Sequence, residues 1–196
     1  MAFNSFKQLS DAIRELGSSY EKANFIQPLQ FNLPDYFIED RQFVMKEGVV
    51  NNSEYALCEN LIYPLLQEVR KKYSATLTLW SHQYLAYINL ISDFSGYVVA
   101  RRSPRGKIVF DRPYIIIVEA KKDDFDGGWE ECLAEMVAAN KLNQESVTVY
   151  GIVSNSYTWE FAKLRNQMFV KNLIAYSIFH LEQLVSVVHY VSQMAN

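Results

Sequence analysis

The sequence predicts an α/β fold, a sheet flanked by helices, and three observations carry that prediction. Tyr114 to Val118 (YIIIV) is an unbroken run of apolar and aromatic residues, the pattern of a central strand covered on both faces. After it, GWEECLAEMVAANKLN reads as a helix and VTVYGIV as a second continuously apolar strand. A helix between two such strands marks a parallel crossover. Upstream, SEYALCENLIYPLLQEVRKKY sets Tyr55, Cys58, Ile62, Leu65, Leu66, Val69 and Tyr73 within about a third of the helical circumference, a face that belongs in a core.

Taken in order, the chain opens with a helix that Asn4 or Ser5 could cap, with Phe6, Leu9, Ile13 and Leu16 at helical spacing and Gly17 as its stop. Ser18 to Leu33 shows no sustained period, so it reads as an irregular connection. Pro34 suits the first turn of a short helix over about Asp35 to Lys46, ended by Gly48. The strong helix from Ser53 follows, and Pro64 inside it marks a kink or distortion. LTLWSHQYLAYI and GYVVA are strand-like, being rich in β-branched and aromatic residues. Beyond the crossover, SYTWEFAKL, MFVKN and IAYSIF alternate like edge strands, and a final helix runs from about Leu181 to Met194. Residues 1–52 form an N-terminal helical extension packed on a core of residues 53–196, one domain overall.

Composition narrows the function classes. With 196 residues, 49% of them hydrophobic, the chain can bury one sizeable core, and 21% charged residues argue against disorder. A formal net charge of −3 excludes a protein that coats nucleic acid by bulk electrostatics, so any phosphate contact must be local. The two cysteines, Cys58 and Cys132, fall in helical apolar patterns and read as buried free thiols. The N-terminal residues lack the apolar centre of a signal peptide, and no apolar stretch approaches a membrane span. The expectation is a cytoplasmic protein with no membrane contact.

The chemistry concentrates where the central strand ends in charge, at Glu119, Lys121 and Lys122. Glu119 and Lys121 alternate onto one face of a strand, roughly 7 Å apart at the backbone. A carboxylate beside an ammonium can hold a divalent metal and steady a developing negative charge; a surface ion pair at a strand exit has the same sequence. Glu54 and Glu59 flank the apolar stripe of the strong helix on opposite sides, so either could reach a cleft. Glu131 and Glu135 sit at i and i+4 on the crossover helix. Asp93 lies in a turn before the GYVVA strand, and Arg101, Arg102, Arg105 and Lys107 crowd the loop RRSPRGK. Those cations suit phosphate contacts or a solvated loop. His82, His180 and His189 have no partner at metal-ligand spacing and read as structural.

The order helix with glutamate, two strands with an aspartate, strand ending Glu-x-Lys, helix, strand resembles the restriction-endonuclease-like PD-(D/E)XK superfamily. Within it, SEYALCENLIYPLLQEV, LTLWSH, IIIVEAKKDDFDGGWEECLAEMVAANKLN and YGIVSNSYTWEFAKL look like an uncharacterised bacterial, especially cyanobacterial, family, over about Ser53 to the C-terminus. The resemblance implies an α-β-β-β-α-β core with a mixed sheet, and hydrolysis of phosphodiester bonds in DNA with Mg²⁺ or Mn²⁺. It also implies Glu119 and Asp93 as metal ligands, Lys121 as the group that positions the attacking water, and Glu54, with Glu59 in reserve, and Glu131 as supporting carboxylates. Arg101, Arg102 and Arg105 would then contact the DNA backbone. Many double-strand cutters of this kind work as symmetric pairs, so a homodimer is compatible with it.

Two positions depart from the pattern. The superfamily's aspartate directly precedes an aromatic residue and a short apolar strand, and here Gly96 precedes Tyr97, Val98 and Val99; Asp93 lies three residues earlier. Glutamine is frequent where this chain has Glu131. Two expectations follow: a metal-dependent nuclease, or a catalytically degenerate relative acting as a nucleic-acid-binding or protein-interaction module.

Overall fold

A computed structural model describes residues 8–50, 52–83, 85, 96–122, 124–155 and 157–196. It is α/β, as expected: one mixed eight-stranded sheet flanked by helices. The strands are β1 (Ser19–Ala23), β2 (Leu77–Ser81), β3 (Tyr97–Arg101), β4 (Tyr114–Ala120), β5 (Val149–Ser154), β6 (Thr158–Arg165), β7 (Met168–Asn172) and β8 (Tyr176–Ser177). They lie in the order β1-β7-β6-β5-β4-β3-β2, with β8 paired to β6. β4 and β5 are parallel, joined by helix α5 (Phe125–Leu142), and β2, β3 and β4 are successively antiparallel.

The sheet is covered on both faces, which explains the unbroken apolar run of β4. On one face, α4 (Tyr63–Lys72) and α6 (Leu181–Ala195) pack Leu65, Val69 and Val188 against Ile116, Val118, Ile152 and Phe161. On the other, α5 presses Trp129, Cys132, Leu133 and Met136 onto Ile117, Val153 and Leu164. Each such side chain contributes about 1.5–3 kcal/mol by leaving water. Neither cysteine forms a disulfide, and both are buried. His189 is buried against Phe31 and Tyr73.

Helix α1 (Leu9–Glu15) ends at Gly17, whose φ of +66° is the left-handed turn glycine favours; Asn4, Ser5 and Phe6 lie outside the described residues. The stretch after it is not irregular throughout: β1 pairs in parallel with β7 at the sheet edge. Its residues SYEKA are almost wholly exposed, so no apolar alternation announces the strand. β6 and β7, expected at an edge, lie inside the sheet, β6 between β5 and β7 and β7 between β6 and β1. β2 stops at Ser81, and His82 follows with φ 52°; of the rest of LTLWSHQYLAYI, residues 84 and 86–88 lie outside the described ones.

Pro64 explains the largest departure from an ideal wheel. The expected single helix is α3 (Glu54–Leu57), a π-helical turn (Cys58–Ile62) and α4. Proline has no N–H for the carbonyl four residues back, Asn60. The buried Arg41 of α2 (Asp35–Glu47) donates Nη1 to that carbonyl instead. The extra residue of a π turn rotates what precedes it by roughly 100° against a straight helix. Tyr55, expected in the core face, is therefore 68% exposed, while Leu57 and Leu61 are buried against Val50.

Candidate functional site

β4 ends where α3 begins and where α5 passes overhead, so three elements bring their charges to one place. Ser53 caps α3, accepting from the amide of Ala56 at 3.1 Å, and this fixes Glu54 in the first turn. Asp124 caps α5, Oδ1 accepting from the Gly127 amide at 2.9 Å, and Glu131 follows two turns on. Lys121, just past β4, has its amide held by the Ser154 carbonyl at 2.9 Å. Its Nζ donates to Glu131 at 3.0 Å and lies 3.8 Å from Glu54. Gly128 makes this approach possible: a Cβ there would stand 2.8 Å from Lys121 Cγ. No pattern in the sequence marked Gly128 for that role.

Glu119 is wholly buried, on the face of β4 opposite to Val118 and Ala120. Its charge is felt by Lys121, Cys58 and Cys132. For Lys121, burial is the largest influence and acts downward, but the hydrogen bond to Glu131 and the charges of Glu131, Glu54 and Glu119 outweigh it and hold the ammonium above its ordinary value. It is a fixed cation at neutral pH and not a proton acceptor. Burial, reinforced by Glu119, Glu54 and Glu59, pushes the Cys58 thiol up to about 12 against a hydrogen bond from Tyr97, and burial also raises Cys132. Neither thiol is a nucleophile at neutral pH. Burial and then Asp124, Asp126 and Glu131 raise Glu130, so the rim is acidic as well.

Of the other expected participants, Glu59 is exposed and Asp93 lies outside the described residues. Gly96 sits one position beyond the Tyr97–Val118 pair of the β3–β4 ladder, across from Glu119. A Cβ at Gly96 would stand 1.7 Å from the Val118 carbonyl oxygen. This backbone therefore admits no side chain where the superfamily's aspartate is expected. The arginines lie at the other end of β3. Arg101 Nη2 donates to Asn196 O at 3.5 Å, Arg102 Nη1 to Ser74 O at 2.9 Å, and Arg105 pairs with Asp111 at 3.0 Å. From Tyr97 to Arg101 the strand spans roughly 14 Å.

Mg²⁺ wants near-octahedral oxygen ligation, with carboxylates and water as typical partners. Among the described residues, no three His, Cys, Asp or Glu side chains are grouped to hold a metal ion. The Lys121 ammonium already stands between Glu131 and Glu54, so the described donors do not fit the ion. Among the described residues no helix is long and apolar enough to cross a membrane. No protein-family model, no curated protein and no solved structure matches this chain, so its site is read from its own geometry.

Proposed function

We propose that the chain is built on a restriction-endonuclease-like core whose catalytic centre is degenerate, and that it acts as a binding module. The order α3/α4, β2, β3, β4, α5, β5, with β3 and β4 antiparallel and β4 and β5 parallel, supports the α-β-β-β-α-β core. The observation that carries the degenerate reading is Gly96: opposite Glu119, the ladder leaves no room for a ligand side chain. In place of a shared metal, Lys121 neutralises Glu131 and Glu54.

A second reading, a Mg²⁺-dependent nuclease acting on DNA, is favoured by the convergence of Glu54, Glu131 and Lys121 beside Glu119, and needs Asp93 to supply the missing ligand. Calorimetric titration with Mn²⁺ and Mg²⁺ separates the two. The degenerate reading expects no metal binding that Glu119→Gln removes, and plasmid, linear and single-stranded DNA left intact. Binding lost in Glu119→Gln, with cleavage lost in Lys121→Ala, would establish the nuclease instead.

A further inference from the structure

A row of four aromatic rings borders the Glu54 end of the site. Tyr55 stacks on His82 with centroids 6.1 Å apart, His82 lies 6.0 Å from Tyr97, and Tyr97 lies 5.9 Å from Tyr63. Tyr97 is buried and forms the back of the row, while Tyr55 and Tyr63 are 68% and 42% exposed. Glu59 is exposed and lies in the π turn between the two tyrosines. Its carboxylate is near enough to add to the burial and the Cys58 contact that raise the Tyr97 hydroxyl. His82 completes the row in a left-handed conformation that is costly for a residue with a side chain, its amide donating to Gly96 O at 3.1 Å.

Exposed aromatic faces take either nucleobases or cations. Charge decides between them here. A phosphate chain laid over these rings would meet Glu59, whereas a cation would meet π faces and a carboxylate together. We infer that the Tyr55–Glu59–Tyr63 surface receives an arginine side chain from a partner protein. A guanidinium suits it better than an ammonium, because its plane stacks on a tyrosine while its edge pairs with Glu59. The inference deepens the binding-module reading and rests on it, naming the chemistry of the partner.

Fluorescence anisotropy of the full chain with a fluorescein-labelled (Gly-Arg)3 peptide tests it, with (Gly-Glu)3 and labelled oligothymidylate run alongside. The arginine peptide should bind saturably and the other two should not. Tyr55→Leu, Tyr63→Leu and Glu59→Gln should each weaken binding about fivefold, the worth of one exposed cation–π contact or surface ion pair. Tyr55→Phe, which keeps the π face, should bind like the parent. Circular dichroism melts should show all four variants folded, since the altered side chains reach solvent.

Absence of saturable (Gly-Arg)3 binding would overturn the proposal, as would equal binding by a Tyr55→Leu/Glu59→Gln double variant. Oligothymidylate binding that Tyr55→Leu removes and Glu59→Gln strengthens would also overturn it, in favour of base stacking. The metal titration keeps the two failures apart. Mn²⁺ binding through Glu119 defeats the degenerate centre whatever the peptide does, and a failed peptide with a blank titration removes only the arginine partner.

Discussion

Charged side chains gather at both ends of the β3–β4 ladder and are used in opposite ways. At one end Glu54, Glu119, Lys121 and Glu131, scattered over 78 positions of the sequence, come together because a helix cap, a strand exit and a crossover helix converge. At the other, Arg101, Arg102 and Arg105 are neighbours in sequence, yet each turns to a different local partner: Asn196 O, Ser74 O and Asp111. Proximity in sequence made the arginines look like a site, and the structure engages each with a protein partner of its own. The carboxylates are far apart in sequence, and the convergence of α3, β4 and α5 assembles them. A charge cluster is thus a property of the elements that carry it.

The sharpest way to break the first end is to add a side chain at Gly96. Gly96→Asp, which places the carboxylate that the proposed core would need, should cost about 3 kcal/mol or more in urea unfolding, because the Cβ and the Val118 carbonyl oxygen need the same space. It should bind no more Mn²⁺ than the parent. A stable Gly96→Asp variant that binds Mn²⁺ would mean that the ladder opens there.

Lys121→Met comes next. It leaves Glu131 and Glu54 without their ammonium, and with both carboxylates partly exposed the expected loss is about 1–3 kcal/mol. The double variant Lys121→Met/Glu131→Gln should lose less than Lys121→Met alone, since one uncompensated charge is gone. Additive losses would dissolve the cluster as a unit.

Alkaline pH gives a gentler probe. The folded Lys121 value lies above the unfolded one, so its contribution is complete below about pH 10.4 and is lost as pH rises through the folded value. Urea midpoints of parent and Lys121→Met should therefore converge above that pH and stay parallel below it. At the arginine end the effects are smallest. Arg102→Ala should cost about 0.5–1 kcal/mol for one exposed hydrogen bond, and Arg105→Ala should leave the midpoint unmoved. A larger loss in either would show that this end, too, is a coupled network.

What sequence could reveal followed from whether burial left a periodic trace. β4 and β5 are buried, and their apolar runs, with the helical pattern of α5 between them, gave their type and parallel pairing directly. β1 carries no such trace, because the exposed Ser, Tyr, Glu and Lys of an edge strand leave no apolar alternation in its sequence. Tyr55 was misplaced because an ideal wheel assumes 3.6 residues per turn through a segment that holds a π turn. At the site, Glu-x-Lys and the glutamates were readable as types, but two quantities were not. One is the clearance at Gly96, set by a strand far away in sequence; the other is the end of β3 to which the arginines belong.

The π turn before Pro64 also bears on how the chain tolerates length changes. A helix that gains one residue without gaining a turn stores a shift of phase, and everything upstream of it points where that shift directs. Deleting Asn60 would remove the extra residue and the carbonyl that Arg41 holds, leaving Pro64 still without an N–H for the carbonyl four residues back. Glu54 and Tyr55 would swing by roughly 100°, away from Lys121 and His82. In this segment the number of residues is a functional variable in its own right, as binding as their identity.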